Sequence, residues 1–298
     1  MPKTLFLMNG SKEVSKPLQG FLHSCSRILG DQFQLITSKQ EKELVQIAKT
    51  HAASVEMIVA IGGDGTVNEV LNGLLASENL ELPVLAIIPY GTGNDFYQSL
   101  FFQKFHFDLF LDALKSPKII HSDIGKMVTE NETRYFINIA DIGFGGSVVL
   151  SLNEFRQKYG PRFSYGLAIL KTFIGFKRPE VNITAGSFSY QGELLLAAVC
   201  NGSIFGNGLH IHPGATISDG KLNMTILAKV SLLDYVMNVW KVKHGKRIKH
   251  PEAHYFESNT LTLTSSSEEL HAETDGEYIR GKSFEISIIP QRLKILSY

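Results

Sequence analysis

The sequence has little cysteine, no net charge and no long apolar run, and each absence removes a class of function. Two cysteines are present, Cys25 and Cys200, far apart and outside any CxxC spacing. That argues against a disulfide framework or a thiolate zinc site and leaves two reduced packing thiols. Lys and Arg together number 29, as do Asp and Glu, so the formal net charge is +0. A nucleic-acid binder ordinarily carries a basic excess, so no nucleic-acid partner is expected. A locally basic face remains compatible with neutrality. No apolar stretch reaches the ~18 residues that suggest a membrane span. The opening apolar residues are too few for a signal peptide and read better as a first strand. A cytoplasmic location is the resulting expectation.

What is there is the composition of a globular protein: 44% hydrophobic and 19% charged over 298 residues. That length suits two ordinary domains. Up to about residue 115, short apolar runs alternate with helical patterns, the order of a doubly wound, mostly parallel sheet. The strands are predicted at residues 4–8, 33–36, 57–61 and 84–88. A helix is predicted at 17–29. Ser38-Lys39-Gln40-Glu41 reads as a capping box opening another helix through about Ala52. From about Ile119 strand-like runs follow one another, with helical stretches near 147–159, 165–176 and 232–243, which predicts a β-sandwich. The predicted domains are 1–118, to which residues from about 290 to 298 return, and 119–298. In parallel sheets of this kind ligands sit beyond the carboxyl ends of the strands.

Both glycine-rich stretches fall at that edge. Gly62-Gly63-Asp64-Gly65-Thr66, with Asn68 close behind, joins the third strand to a helix. Glycines let the backbone approach a ligand, and a helix N-terminus suits phosphate. A tight turn with no ligand explains one such element equally well, since no Walker A lysine or full GxGxxG is present. The second, Gly91-Thr92-Gly93-Asn94-Asp95-Phe96, again follows an apolar strand. Two such elements on successive strands face one crevice.

With these two elements the chain resembles the bacterial diacylglycerol kinase family, which includes sphingosine kinases and is distantly related to NAD kinases. The resemblance runs nearly end to end, through Asp123-Ile124-Gly125, Phe136 to Ala140, Asn201-Gly202, Phe205 to Gly208, Pro213-Gly214-Ala215, Asp219 to Leu222 and Asp275-Gly276-Glu277. It implies a nucleotide-binding α/β domain, a β-sandwich domain for a lipid substrate, and an active site in the cleft between them. It implies ATP and Mg2+ as cofactors. Gly62 to Thr66 would hold the phosphates, with Asn9, Thr37, Asn68, Gly91, Thr92 and Asn94 around the nucleotide. Asp275 would be the general base and Asp123 would belong to a carboxylate–water–magnesium network. Asp219, with the carbonyls of Thr216 and Lys221, would form a second, structural magnesium site. The lipid would be presented at a membrane surface visited peripherally and transiently, and a homodimer is left open.

The chemistry asks for these residue types. Phosphoryl transfer is mostly positioning and charge stabilisation, and a carboxylate in reach of an alcohol can take its proton. Rival readings stand beside several assignments. Asp275-Gly276 and Asp219-Gly220 are also hairpin-turn signals, and Asp123 also suits a strand end. His210-x-His212 and His250 to His254 read as structural or surface groups. Phe136, Ile139, Phe144, Leu152 and Phe155 fit an acyl cleft or simply the core. Lys241, Lys243, Lys246, Arg247 and Lys249 fit anionic lipid or a solvated face. The loop Asn9-Gly10-Ser11-Lys12 lacks the family's proline, and Arg162 is a candidate contact for a lipid phosphate. Another lipid, such as a sphingoid base or monoacylglycerol, a soluble substrate such as NAD, or a non-catalytic binding module are the alternative functions.

Overall fold

A computed structural model describes the chain apart from Met1, Lys12, Phe102, Gly160, Asn207 and Ser267, and apart from the side chains at 153, 156–159, 161–163, 165, 232 and 235. It divides into two units, Met1–Asp123 with Gln291–Tyr298, and Ile124–Pro290. The change of texture along the sequence places this boundary at 118/119, five residues earlier.

The first unit runs β1 (Thr4–Met8), α1 (Lys16–Leu29), β2 (Phe33–Thr37), α2 (Glu43–His51), β3 (Met57–Gly62), α3 (Asp64–Ala76), β4 (Val84–Pro89), α4 (Asp95–Phe101) and α5 (Phe107–Lys115). The strands pair in parallel in the order β2-β1-β3-β4, and Ile295 near the C-terminus pairs in parallel with Leu85 beyond β4. β1 and β3 are buried along their whole length, as expected of parallel strands with helices on both faces. Helix α1 is capped by Ser15, whose hydroxyl accepts the Leu18 amide. It buries Leu18, Phe21, Cys25 and Leu29 along one stripe. Tyr298 seals the unit: its ring lies among Phe101, Phe105 and Phe110, and its hydroxyl donates to the Ile87 carbonyl.

The capping box expected at Ser38 is not formed. Ser38 Oγ instead accepts the Gly10 amide at 3.2 Å, and α2 starts at Glu43 after Lys42 in the left-handed region. Glu43 itself accepts the Lys39 and Gln40 amides. A tertiary partner outbid the local one.

Strand β5 (Lys118–Val128) leads into the second unit. It is followed by β6 (Thr133–Phe136), β7 (Ile139–Gly143), α6 (Phe144–Tyr159), α7 (Pro161–Gly175), β8 (Glu180–Ala185), β9 (Phe188–Glu193), β10 (Leu196–Cys200) and β11 (Leu222–Leu227). Then come α8 (Leu232–Lys243), β12 (Ala253–Ser258), β13 (Thr260–Ser265), β14 (Leu270–Thr274), β15 (Glu277–Gly281) and β16 (Ser283–Ser297). One antiparallel sheet has the order β12-β11-β10-β7-β14-β15; β16, β13, β8 and β9 form the other, with β5 beside β16 and β6 beside β5. Inward side chains of both sheets, among them Met127, Phe136, Ile183, Val199, Met224, Leu263, Ala272 and Phe284, form one buried core. This is the sandwich expected from the strand-rich half. Strand β16 serves both units, its residues from Gln291 onward belonging to the first. Among the described residues, no helix is long and apolar enough to cross a membrane.

Candidate active site

In the first unit the strand order 2-1-3-4 reverses direction between β1 and β3, and in open α/β sheets ligands sit at the carboxyl ends of strands flanking such a switch. The loops after β1, β2, β3 and β4 all meet at this edge. Gly10 lies against the Ser38 carbonyl, where a Cβ would come within 1.9 Å. The Tyr90 amide donates to the Gly62 carbonyl at 2.8 Å. The Tyr90 hydroxyl donates to the Glu13 carbonyl at 2.9 Å and accepts the Ser15 amide at 3.1 Å. Asn9 is partly exposed, and its Oδ1 accepts both the amide and the hydroxyl of Ser11. Thr37 ends β2 opposite Met8.

The two glycine-rich stretches interlock. A Cβ on Gly91 would lie 2.3 Å from Gly63 Cα, so the two backbones touch. Asn94, at φ +54, folds its loop back by accepting the Gly91 amide and donating to the Gly91 carbonyl. The Asp64 carboxylate accepts the Asp95 amide at 3.1 Å and the Phe96 amide at 2.9 Å. It therefore caps α4 while standing in the first turn of α3, where negative charge is favoured at both helix starts. Thr66 is buried with its hydroxyl over Gly62, and Asn68 is buried one turn along α3. Gly65 stands in the first turn of α3, Gly93 lies beside the Asp64 carboxylate, and Thr92 is exposed in the loop. Gly62, Gly63, Asp64, Gly65, Thr66, Asn68, Gly91, Thr92 and Asn94 thus share one edge with Asn9 and Thr37.

In the second unit Asp275 and Gly276 are the central residues of the β14–β15 hairpin, both at positive φ, +50 and +88. That is the geometry of a two-residue turn of type I′. The Asp275 carboxylate does more than turn the chain. Its Oδ2 accepts the Ile137 amide at 2.9 Å, and its Oδ1 accepts the Asn138 and Ile139 amides at 3.0 Å each. Around it, Asn138 Nδ2 donates to the Ile204 carbonyl and Asn201 Nδ2 to the Ile137 carbonyl. The carboxylate is held in one orientation by rigid backbone, the condition a positioned proton acceptor needs.

Behind this turn lies a buried acid pair. Asp141 on β7 is paired in register with Glu273 on β14. Burial pushes the Asp141 carboxyl up to about 7, although the Gly145 amide donating to it at 3.1 Å opposes the shift. Burial, then the neighbouring Asp141, raises Glu273 well above the ordinary carboxylate range, while its Oε2 accepts the Gly276 amide of the turn. Sequence reasoning missed both residues. The available signal was an acid inside the apolar run Ile139–Ile142, and another two residues before Asp275. The folded protein holds a proton on Asp141 that the unfolded chain, with its ordinary value of 3.8, releases. The stabilisation is complete below about pH 4 and is lost as pH rises to about 7, at about 1.4 kcal/mol per pH unit for full titration. Asp141→Asn keeps an acceptor for Gly145 and carries no charge. Urea unfolding should show the variant gaining on the wild type by a few kcal/mol from pH 5 to pH 8. A difference that does not grow with pH would exclude the buried titration.

Both halves of the chain resemble known protein families. Residues 3–127 match the family described as the diacylglycerol kinase catalytic domain. Residues 139–297, more than half the chain, match the YegS C-terminal NAD kinase beta sandwich-like domain. The chain belongs to the diacylglycerol kinase and YegS lipid kinase family. A diacylglycerol kinase of Staphylococcus saprophyticus is 31% identical over 253 residues, covering 81% of this chain and 78% of the relative. A Yersinia enterocolitica protein named "Probable lipid kinase YegS-like" is 27% identical over 295 residues, covering 99% and 96%. A solved diacylglycerol kinase structure from Bacillus anthracis str. Sterne superposes with a TM-score of 0.73 at 20% identity, covering 100% of this chain and 97% of that one, which supports the fold.

The remaining residues singled out for this lipid kinase family member lie elsewhere. Asp123 is fully buried, and its Oδ1 accepts the Gln291 amide at 2.7 Å, where β16 is kinked by a positive φ at Gln291. Asp219 is exposed on the turn before β11, and its Oδ1 accepts the Lys221 amide at 3.0 Å. The Lys221 ammonium is taken by Glu257 at 2.7 Å, so only the backbone carbonyl of Lys221 would be offered to an ion there. Thr216 is exposed in the same loop. Among the described residues no group of three or more His, Cys, Asp or Glu could hold a metal, which includes His210 and His212. Phe136 lies in the sandwich core, while Ile139, Phe144 and Leu152 are buried in a second core against which Phe155 packs. Lys12 and the side chain of Arg162 lie outside the described residues.

Proposed function

We propose that the protein transfers the γ-phosphoryl group of ATP to the hydroxyl of a diacylglycerol-like lipid, giving phosphatidic acid. The observation that carries the reading is the Asp275 carboxylate, fixed by three backbone amides on a turn within a chain of the lipid kinase family. The nucleotide's phosphates rest on the Gly62 to Thr66 loop, which carries no lysine, and Asn9, Thr37, Asn68, Gly91, Thr92 and Asn94 surround the nucleotide. Asp275 takes the hydroxyl proton as the new P–O bond forms and the bond from the γ-phosphorus to the departing ADP breaks, and Asp123 would belong to a carboxylate–water–magnesium network.

The donor set at the Asp219 turn suits Mg2+: a carboxylate and backbone carbonyls are hard oxygens, and that ion keeps several waters. Asp219, with the carbonyls of Thr216 and Lys221, would hold a structural ion there. Bound Mg2+ supplies charge neutralisation for the triphosphate.

Incubation with ATP and Mg2+ plus micellar diacylglycerol, a sphingoid base, a monoacylglycerol or soluble NAD tests the reading. We expect phosphate on diacylglycerol in preference to the other acceptors. Transfer to NAD alone would make the chain a soluble-substrate kinase, and ATP binding without transfer to any acceptor would make it a binding module.

A further inference from the structure

Helix α8 exposes an apolar stripe that the lipid kinase reading does not use. Leu233, Val236, Met237 and Trp240 are 66%, 57%, 52% and 50% exposed. Their spacing of three, four and seven residues sets them on one face of the helix. The opposite side holds the helix to its unit through buried Asn238 and Val242. A helix apolar on its outward face wants a partner.

Charge identifies the partner. The stripe runs into Lys241, Lys243, Lys246, Arg247 and Lys249, five cations within nine residues of a chain whose net charge is +0. Trp240, Lys241, Lys246, Arg247 and Lys249 line a cavity of about 510 Å3 at the end of the helix. Among the described residues none of the five cations forms an ion pair with a carboxylate. Lys241 donates to Asn238, Lys246 lies over the Trp240 ring, and Arg247 over the Tyr255 ring. The nearby acids are engaged: Asp234 caps its own helix through Ser231 and lies 3.7 Å from His250, and Glu257 pairs with Lys221. Helix α7 also exposes apolar residues, Leu167, Leu170 and Ile174, but its Lys171 is paired with Glu154 at 3.0 Å.

We infer that α8 and the basic segment after it form a docking surface for an anionic lipid bilayer. The apolar stripe enters the interfacial region, Trp240 sits at headgroup depth, and the five cations meet lipid phosphates. A second copy fits less well, because a two-fold contact through this face sets the five cations against their own copies. The inference rests on the lipid kinase reading for its purpose, since a kinase of bilayer lipids must reach them, but not for its test.

Trp240 is the only tryptophan in the chain, so fluorescence excited selectively from tryptophan reports on this helix, apart from the chain's ten tyrosines. Without ATP, vesicles with about one third phosphatidylglycerol should shift the emission to the blue and sediment the wild-type protein, whereas pure phosphatidylcholine vesicles should do neither. Raising the salt should weaken the binding. Two variants that keep the reporter, Leu233→Ser with Met237→Ser, and Lys243→Gln with Lys246→Gln and Lys249→Gln, should each bind at least about tenfold more weakly. No blue shift, equal binding to neutral vesicles, wild-type binding by either variant, or a dimer in solution that Leu233→Ser with Met237→Ser dissociates would each overturn the inference. Phosphoryl transfer to diacylglycerol in neutral detergent micelles is scored separately. Its failure beside intact vesicle binding counts against the kinase reading and leaves the docking surface standing.

Discussion

Replacing Asp275 by Asn should lower kcat by ~10²–10⁴-fold, the ordinary contribution of a positioned proton acceptor. ATP affinity should hold, because the proposed nucleotide loops lie in the first unit. The structure makes this variant less clean than its chemistry suggests. Asn tolerates the positive φ of the turn, but it offers one oxygen where Asp offers two. Oδ2 accepts the Ile137 amide, and Oδ1 the Asn138 and Ile139 amides. An Asn therefore turns its NH2 group toward at least one backbone N–H, leaving a donor facing a donor, at about 1–3 kcal/mol. The melting temperature should fall by about 2–4 °C for each kcal/mol. The decisive measurement is kcat per folded molecule, with the ATP-induced thermal shift as a check that the first unit is intact. A variant keeping more than about a tenth of wild-type kcat leaves Asp275 as a turn residue only.

These three hydrogen bonds separate what the sequence could show from what it could not. Asp275-Gly276 was readable as a hairpin turn because turn chemistry is local, and as a base because it resembled a family motif. That the carboxylate of this turn also accepts three backbone amides depends on residues as far as 138 positions away in sequence, which no local pattern encodes. The parallel half was legible because its strands are continuous apolar runs broken by glycine, and α8 falls on residues 232–243 as its periodicity indicated. Ser38 misled because its local capping partners lost to the Gly10 amide across two strands. Asp141 and Glu273 were overlooked because their raised pKa values come from burial and from cross-strand register, both products of the sandwich.

The contact between the two glycine loops of the proposed nucleotide site yields the other large expectation, and it concerns a single methyl group. Gly91→Ala places a Cβ 2.3 Å from Gly63 Cα and 2.8 Å from Gly63 N. Both obstacles are backbone, so no rotamer change relieves them, and the loops after β3 and β4 must separate. Separation strains the Tyr90 amide bond to Gly62 and the two amides of α4 that Asp64 accepts. Overpacking of this kind costs about 1–3 kcal/mol, and more where hydrogen bonds break with it. The melting temperature should drop by several degrees and the ATP-induced thermal shift should shrink, reflecting at least about tenfold weaker binding. Gly20→Ala supplies a control of opposite sign. Gly20 is exposed on α1 with nothing within 4 Å of the new Cβ. Alanine is the better helix former there, so that variant should gain about 0.5–1 kcal/mol with ATP binding untouched. If Gly91→Ala behaved like Gly20→Ala, the two glycine loops would not be in the contact described, and the phosphate-holding edge built from them would lose its physical basis.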